Sequence, residues 1–229
     1  MPSAPPLRIE PLTPGRWNDF ARLFGARGGC GGCWCMYWRL DRATYEAHKG
    51  AKNRAAMRRL VEQGVKAGRA PGVIAYLDDT PVGWCAVAPR EEYPRLERAR
   101  VLRRIDAAPV WSIVCVFVAK AQRRRGISVA LLEGAARWAA SQGATLVEGY
   151  PVEPRTDPMP APFVWTGTAA AFRAAGFVEA ARGSPTRPIM RRKVQAGSAG
   201  EQTRPGRSGR ERPGADRGRR ERDRPDPAG

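Results

Sequence analysis

The stretch from Val110 to Ala140 constrains the fold more than any other part of the chain. Val110–Val118 is an almost unbroken run of β-branched and aromatic residues, which predicts a central strand covered on both faces. After it, alanines, leucines and a tryptophan recur at helical spacing, which predicts an amphipathic helix that begins near Gly126. The apolar run is too short to cross a bilayer. Strand, loop and helix therefore form one unit of an α/β fold.

The loop between this strand and helix has the features of an anion site. The first amides of a helix lack intrahelical acceptors and lie at the positive end of the helix dipole. Gly126 lets the backbone approach a ligand closely, and the small Ser128 keeps the passage open. Arg123, Arg124 and Arg125 surround it with positive charge. A pyrophosphate would fit there; the alternative is a cationic loop that only caps the helix, because short glycine motifs also arise by chance.

The loop sequence RRRGIS, at 123–128, resembles the signature of the GNAT superfamily of acyl-coenzyme A dependent N-acyltransferases. That signature is Gln or Arg, two residues, Gly, one residue, then Gly or Ala, so Ser128 departs from its last position. A strand ending at Val118 stands at the usual distance before the loop. The segment AFRAAGF, at 171–177, is similar to the family's late helix and its terminal Gly-Phe. The resemblance covers roughly residues 5 to 193.

The resemblance implies an α/β GNAT fold. This fold has a mixed, mostly antiparallel central sheet, helices on both faces, and a V-shaped splay between the fourth and fifth strands that receives the pantetheine of acetyl-CoA. Acetyl-CoA would then bind along the strand and loop. The implied cofactor-binding residues are Val116, Phe117, Val118, Arg123, Arg124, Arg125, Gly126, Ile127, Ser128 and Val129.

The other elements predicted from periodicity and turn residues fit that order. We predict further strands at 7–12, 72–77, 81–88, 145–150, 177–180 and 188–192. We predict further helices at 14–24, 51–67 and 166–175, and a charged helical insert at 91–102.

Glu148 is the most informative acid in the chain. It shares one face of the predicted strand 145–150 with Leu146 and Tyr150. A carboxylate inside a core strand is costly unless it is paired or takes part in chemistry. The resemblance implies that Glu148 is a catalytic general base, since some family members use a glutamate at this point. The alternative is an ion pair with one of the many arginines.

Phe172 departs from the family pattern. Many relatives carry a tyrosine four residues before the Gly of the terminal Gly-Phe, and this tyrosine protonates the leaving thiolate. Phe172 occupies that position and cannot donate a proton. We therefore predict Tyr150 as the catalytic acid, with Tyr37, a cysteine or solvent as alternatives.

The segment 25–41 holds three cysteines among glycines and aromatic residues. A zinc or iron-sulfur site needs about four ligands, and Cys30, Cys33 and Cys35 are one short, so we expect no metal. A disulfide does not suit a cytosolic protein, and buried cysteines that act as small hydrophobes are one interpretation. We prefer a loop over the acceptor side of the site. Its substrate-binding side chains would be Trp34, Tyr37 and Trp38.

The net charge of +18 is compatible with nucleic-acid binding, but we do not expect it, because 35 of the 40 basic residues are Arg, a skew that GC-rich coding also produces. Coenzyme A is itself polyanionic, so part of the charge fits cofactor steering. We expect a GNAT-like domain at 1–194 and a disordered Arg/Gly/Pro-rich tail at 195–229, which lacks large apolar residues. With no basic-then-apolar leader, we expect a cytoplasmic protein.

Two functions follow from these observations. The first is an N-acetyltransferase that moves an acetyl group from acetyl-CoA to a primary amine, on a small molecule or a peptide, by direct attack. The second is a catalytically inactive GNAT-like protein that binds coenzyme A or nucleic acid as a regulator. Phe172 and the basic tail favour the second; the glycine loop and Glu148 favour the first.

Overall fold

The computed structural model describes residues 7–154 and 163–197. Its strands are β1 (Leu7–Pro11), β2 (Gly72–Leu77), β3 (Thr80–Pro89), β4 (Trp111–Val118), β5 (Leu146–Gly149), β6 (Val178–Ser184) and β7 (Arg187–Lys193). Its helices are α1 (Trp17–Phe24), α2 (Arg42–Ala47), α3 (Ala51–Lys66), α4 (Pro94–Glu97), α5 (Ile127–Ser141) and α6 (Ala169–Ala174). Short 3₁₀ turns lie at Pro14–Arg16, Arg90–Glu92 and Lys120–Gln122.

The seven strands form one sheet in the order β1-β2-β3-β4-β5-β7-β6. The pair β4 and β5 is parallel, and the other neighbouring strands run antiparallel. The predicted mixed, mostly antiparallel sheet is therefore confirmed.

Both faces of the sheet are covered by helices, as predicted. One core lies under α5, where Leu131, Leu132 and Ala135 pack against Val73 and Ile113. The other core lies under α1 and α3. There, aromatic and apolar side chains from the two helices meet the opposite face of β2, β3 and β4 (Trp17, Phe20, Phe24, Met57, Val61, Ile74 and Trp84).

The fourth and fifth strands separate soon after they meet. Register pairs join Trp111 to Val147, Ser112 to Glu148 and Ile113 to Gly149, and β5 then ends while β4 continues for five residues. Phe172 explains where β5 turns away, because its ring would lie 2.1 Å from any Cβ at Gly149. The predicted V-shaped splay is thus present, and it leaves one edge of Val114–Val118 without a partner strand.

Two helical expectations differ from the structure. The charged insert 91–102 contains only the one-turn α4, because Pro94 starts the turn and the fully buried Tyr93 and Leu96 anchor the segment to the core. The helix α2 was not predicted; it is capped by Asp41, whose carboxylate accepts a hydrogen bond from the Thr44 amide at 3.0 Å. In both cases local capping and tertiary burial override the apolar periodicity.

Residues 155–162 of the proline-rich loop, and residues 198–229 of the predicted tail, lie outside the described residues. Within 7–154 and 163–197, no helix combines the length and the apolar character needed to cross a membrane.

Candidate active site

The open edge of β4 forms one wall of the gap left by the splay. The Trp38 indole nitrogen donates to the Val114 carbonyl at 3.2 Å, and the Val116 amide donates to the Trp165 carbonyl at 2.8 Å. Because main-chain groups alternate along a strand, the Val118 amide points into the gap like that of Val116, whereas the main-chain groups of Phe117 face β3. Of the three strand residues predicted to bind cofactor, Phe117 has main-chain groups that face β3, and Val116 has an amide that bonds Trp165. The Val118 amide points into the gap and does not bond Trp165.

Gly126 supports the predicted glycine loop at the end of β4. Its φ of 75° lies in the left-handed region, and nothing lies within 4 Å of a Cβ built on it. Glycine is therefore required by the backbone conformation, not by crowding. The amides of Gly126, Ile127 and Ser128 precede the first intrahelical bond of α5, which the Val129 amide makes to the Gly126 carbonyl at 3.0 Å.

The arginines of this loop are exposed and lie around that helix end. Arg123 is fixed by a 3.2 Å hydrogen bond from its Nε to the Val118 carbonyl, which places it at the gap. Arg125 bonds the Gln122 side chain, and Arg124 adopts a positive φ of 61°. Open amides, a helix N-terminus and three guanidinium groups together fit a pyrophosphate.

Glu148 lies in a buried charge network below the gap, with 1% of its surface exposed. Its Oε1 accepts from Arg90 Nη1 at 3.1 Å and from the Tyr150 hydroxyl at 2.6 Å, and its Oε2 accepts from Arg191 Nε at 2.7 Å. Arg191 also binds Asp106 through both Nη atoms. These contacts match the ion-pair alternative; the general-base role stays a prediction.

Tyr150 is the centre of the same network and has 0% exposure. Its oxygen accepts from Arg90 Nη1 at 2.6 Å and lies 2.8 Å from Ser112 Oγ. Burial first, and the adjacent Glu148 charge second, raise the pKa of Tyr150 well above its usual range. A phenol with a raised pKa and no exposed surface is a poor proton donor. The surroundings of Tyr150 therefore do not support its catalytic-acid role, which stays a prediction.

Phe172, in place of the family's tyrosine, is fully buried at the apex of the gap. Its ring packs edge-on against Phe177 at 5.0 Å and lies against Gly149 and Gly167, where added Cβ atoms would come within 2.1 and 2.9 Å. It thus holds the ends of β5 and of the loop that precedes α6, and it brings no polar atom to the site.

The three predicted substrate-binding aromatics separate into two groups. Trp34 is 5% exposed and stacks on Trp17 and Phe24 in the core. Tyr37 and Trp38 are half-buried beside the gap, where both contact the Trp165 ring at 5.2 and 5.7 Å. The aromatic wall, defined here as Tyr37, Trp38 and Trp165, borders the open edge of β4.

The cysteine segment is a compact, glycine-rich turn. Trp34 and Cys35 both have positive φ, 45° and 61°, which lets the chain fold back so that Trp84 Nε1 donates to Cys35 Sγ at 3.2 Å. Hydrogen bonds from Cys115 and Trp84 lower the pKa of the Cys35 thiol despite its burial. Cys30 is exposed and Cys33 half-buried. Within the described residues, no group of three or more His, Cys, Asp or Glu side chains is placed to hold a metal ion.

A cavity of about 510 Å³ lies elsewhere, lined by Arg39, Leu60, Arg69 and Glu92 among others. It sits at the end of β3, whereas the glycine loop lies near the start of β3, because Gly83 pairs with Val118. The cavity is therefore at the opposite end of the sheet from the cofactor loop, and we assign the chemistry to the gap.

Sequence patterns do not point to Arg90, Trp165 or Arg187. Arg90 is one of 35 arginines, and only the fold shows it buried against Glu148. Trp165 acts at the gap through its carbonyl, which no side-chain pattern reveals. Arg187 follows a turn, and nothing local distinguishes it from its neighbours. Contacts between residues distant in sequence are the missing information in all three cases.

Comparison with known proteins agrees with the geometry. The model of the acetyltransferase (GNAT) family matches residues 34–154, more than half of the chain. No curated protein matches the sequence significantly. The chain belongs to the GNAT acetyltransferase family, and its sheet order and splay are those of the GNAT fold.

Among solved structures, the chain is similar to the PaiA N-acetyltransferase of Thermoplasma acidophilum in complex with coenzyme A, with 13% identity, coverage of 82% of this chain and 99% of that one, and a TM-score of 0.47. It is similar to a GNAT acetyltransferase of Streptococcus agalactiae, with 12% identity, coverage of 82% and 96%, and a TM-score of 0.48. It is also similar to the ribosomal-protein-alanine N-acetyltransferase of Brucella melitensis, with 14% identity, coverage of 82% and 99%, and a TM-score of 0.48.

Proposed function

We propose that this protein is an N-acetyltransferase that moves an acetyl group from acetyl-CoA to a primary amine by direct attack. The observation that carries the proposal is the gap between β4 and β5 with the N-terminus of α5 at its end. Coenzyme A carries a pantetheine arm and a pyrophosphate group, and it needs this combination of an open strand edge and an anion site.

The loop would bind the pyrophosphate through the amides of Gly126, Ile127 and Ser128, with Arg123, Arg124 and Arg125 adding charge. The Val118 amide, which points into the gap, would orient the pantetheine. The Val116 amide is bonded to the Trp165 carbonyl, so its use by the cofactor requires the loop before α6 to move. The wall of Tyr37, Trp38 and Trp165 would exclude water and receive the acceptor.

When bound, acetyl-CoA supplies an acyl carbon activated as a thioester. The amine nitrogen bonds that carbon as the carbon–sulfur bond breaks, and no covalent enzyme intermediate is needed. We propose that Glu148 and Tyr150 hold β5 in place, and that the ammonium proton leaves to water. Tyr37 is the half-buried phenol beside the gap, and we propose it as the donor to the thiolate. Its phenolate then takes the second proton of the amine nitrogen as the amide forms.

Titration calorimetry with acetyl-CoA followed by an amine screen tests the proposal. Product acetylation should be read by mass spectrometry, because the exposed Cys30 and the half-buried Cys33 would react with thiol reagents. Binding of acetyl-CoA together with acetylation of at least one amine supports the proposal. A folded protein that does not bind acetyl-CoA overturns it.

A second function is favoured by Phe172 and by the buried state of Glu148 and Tyr150. A protein with the cofactor loop but without acid and base at the gap would bind coenzyme A as a regulator. Tight binding of acetyl-CoA, with no acetylated product from any amine or peptide, would support this regulator. A gel-shift assay with DNA or RNA would then show whether nucleic acid is its partner.

A further inference from the structure

Arg187 lies beside the proposed acceptor side of the gap. It is the first residue of β7 and shares a face with Ile189, which belongs to the core under α1 and α3. Its Nη1 donates to Thr166 Oγ1 at 3.1 Å, and the neighbouring Trp165 carbonyl takes the Val116 amide. One side chain and one loop therefore connect Arg187 to the open edge of β4.

The guanidinium of Arg187 is half-buried, and no carboxylate among the described residues forms an ion pair with it. Two nearby arginines differ: the half-buried Arg191 binds both Glu148 and Asp106, and the exposed Arg182 binds Glu153 and Glu179. Burial lowers the pKa of Arg187 from its ordinary value, and the Tyr37 phenol partly opposes this effect. Since no acid among the described residues pairs with Arg187, an anionic ligand at this half-buried cation would gain a charge-assisted hydrogen bond.

The remaining donors of Arg187 have the right form for a carboxylate. Thr166 holds Nη1, which leaves Nε and Nη2 along the other edge of the planar guanidinium. Two parallel N–H groups match the two oxygens of a carboxylate. The aromatic wall is adjacent and rigid, since Arg95 stacks 3.7 Å from the Tyr37 ring centre and donates to the Tyr37 carbonyl.

We propose that Arg187 binds the carboxylate of the acceptor, so that the acetylated substrate is an amino acid with an apolar side chain that packs on the aromatic wall. This inference rests on the proposed acetyl transfer and names its substrate class. Arg187 is then a specificity-determining residue. It contacts the end of the acceptor that does not react.

Matched acceptor pairs test the proposal on the full chain. L-phenylalanine and 2-phenylethylamine differ by the carboxylate alone, and so do L-leucine and 3-methylbutylamine. We expect the wild type to prefer each acid by about 10- to 100-fold in kcat/KM, the range for a charge-assisted hydrogen bond. Arg187→Met should abolish that preference by lowering kcat/KM for the two acids to the level of the two amines.

Arg192→Met is the matched control. Arg192 is a half-buried arginine of the same strand, also without a carboxylate partner among the described residues, and it bonds the Ala175 carbonyl at 2.7 Å on the opposite face. The Arg192→Met variant should keep the preference for the acids. Arg187→Gln, which can still bond Thr166, provides a second variant if Arg187→Met melts at a lower temperature than the control.

The outcomes separate this inference from the proposed function. If the wild type acetylates the amines and the acids equally well, the carboxylate site is overturned and acetyl transfer stands. The same holds if Arg187→Met keeps the preference for the acids. If nothing is acetylated but L-phenylalanine binds by calorimetry in an Arg187-dependent way, acetyl transfer fails and the carboxylate site stands. If neither amino acid is acetylated and neither binds, the carboxylate site is overturned.

Discussion

Arg90 Nη1 lies 3.1 Å from Glu148 Oε1, with side-chain exposures of 0% and 1%. The remaining nitrogens of Arg90 are also used, by Glu97 at 2.9 Å and by the Leu102 carbonyl at 2.8 Å. One guanidinium thereby joins the end of β3, the insert after it and β5. Removal of one partner from such a pair leaves the other charge buried and unpaired, which is why breaking it is costly.

Glu148→Gln should therefore destabilise the protein by about 3 to 5 kcal/mol, the range for breaking a buried ion pair. Urea unfolding measures this. Glu97→Gln is the matched control, because Glu97 also bonds Arg90 but is 44% exposed, and it should cost less than about 1 kcal/mol. If Glu148→Gln kept wild-type stability and lowered kcat by about 10² to 10⁴, Glu148 would be the general base instead.

Tyr150→Phe tests the same network from its centre. The phenol oxygen meets Arg90, Glu148 and Ser112, so its loss leaves three buried polar groups short of a partner and should cost about 1 to 3 kcal/mol. Ser112→Ala removes one of those contacts and should cost less. Turnover per folded enzyme should stay unchanged in both. A slower kcat in Tyr150→Phe, with Ser112→Ala normal, would restore Tyr150 as the proton donor.

The fold was predictable from the sequence because its signals are local. The apolar run ending at Val118, the glycine at the start of α5 and the turn at Asp78 each fix an element through neighbouring residues. Helix α2 was not predicted, because its Asp41 cap lies outside any strong apolar periodicity. The helical insert predicted at 91–102 is reduced to the one-turn α4, because the burial of Tyr93 outweighs weak periodicity.

The candidate site was predictable only in its cofactor half. The residues of the loop around Gly126 are contiguous in sequence, so a short sequence motif is enough to predict the loop. The proposed acceptor half combines Tyr37, Trp165 and Arg187, which come from three separate segments. The role of Glu148 depends on Arg90, 58 positions earlier. A strand pattern shows that the carboxylate is buried, but not which arginine meets it.

Asp106 gives the ion-pair network a pH dependence. Hydrogen bonds from Arg191 hold the pKa of Asp106 below its ordinary value of 3.8. A carboxyl whose pKa is lower in the folded state adds stability above the unfolded pKa, and this stability is lost as the pH falls through the folded value. Asp106→Asn should therefore melt below the wild type at pH 7, with a gap that closes below about pH 4. Thermal melts from pH 3 to 7 measure it.

The same gap should shrink at pH 7 in 1 M NaCl, because Asp106 is half-exposed and its charge is screened. A melting-temperature difference that is independent of both pH and salt would contradict the ionic origin.

The two open glycines that flank α5 separate cofactor binding from backbone strain. Gly126, before the helix, and Gly143, after it, have φ of 75° and 89°, and neither has an atom within 4 Å of an added Cβ. Alanine at either position should cost about 1 to 2 kcal/mol of stability, because an L-residue is strained in the left-handed region. Only Gly126→Ala should also weaken acetyl-CoA binding, by about 10-fold or about 1.4 kcal/mol, since relief of the strain rotates the amides that would meet the pyrophosphate.

Calorimetric titration of both variants measures this. Equal affinities in two folded variants would remove the phosphate-binding role of the loop, and equal losses would mean that helix stability, not the loop amides, governs cofactor binding.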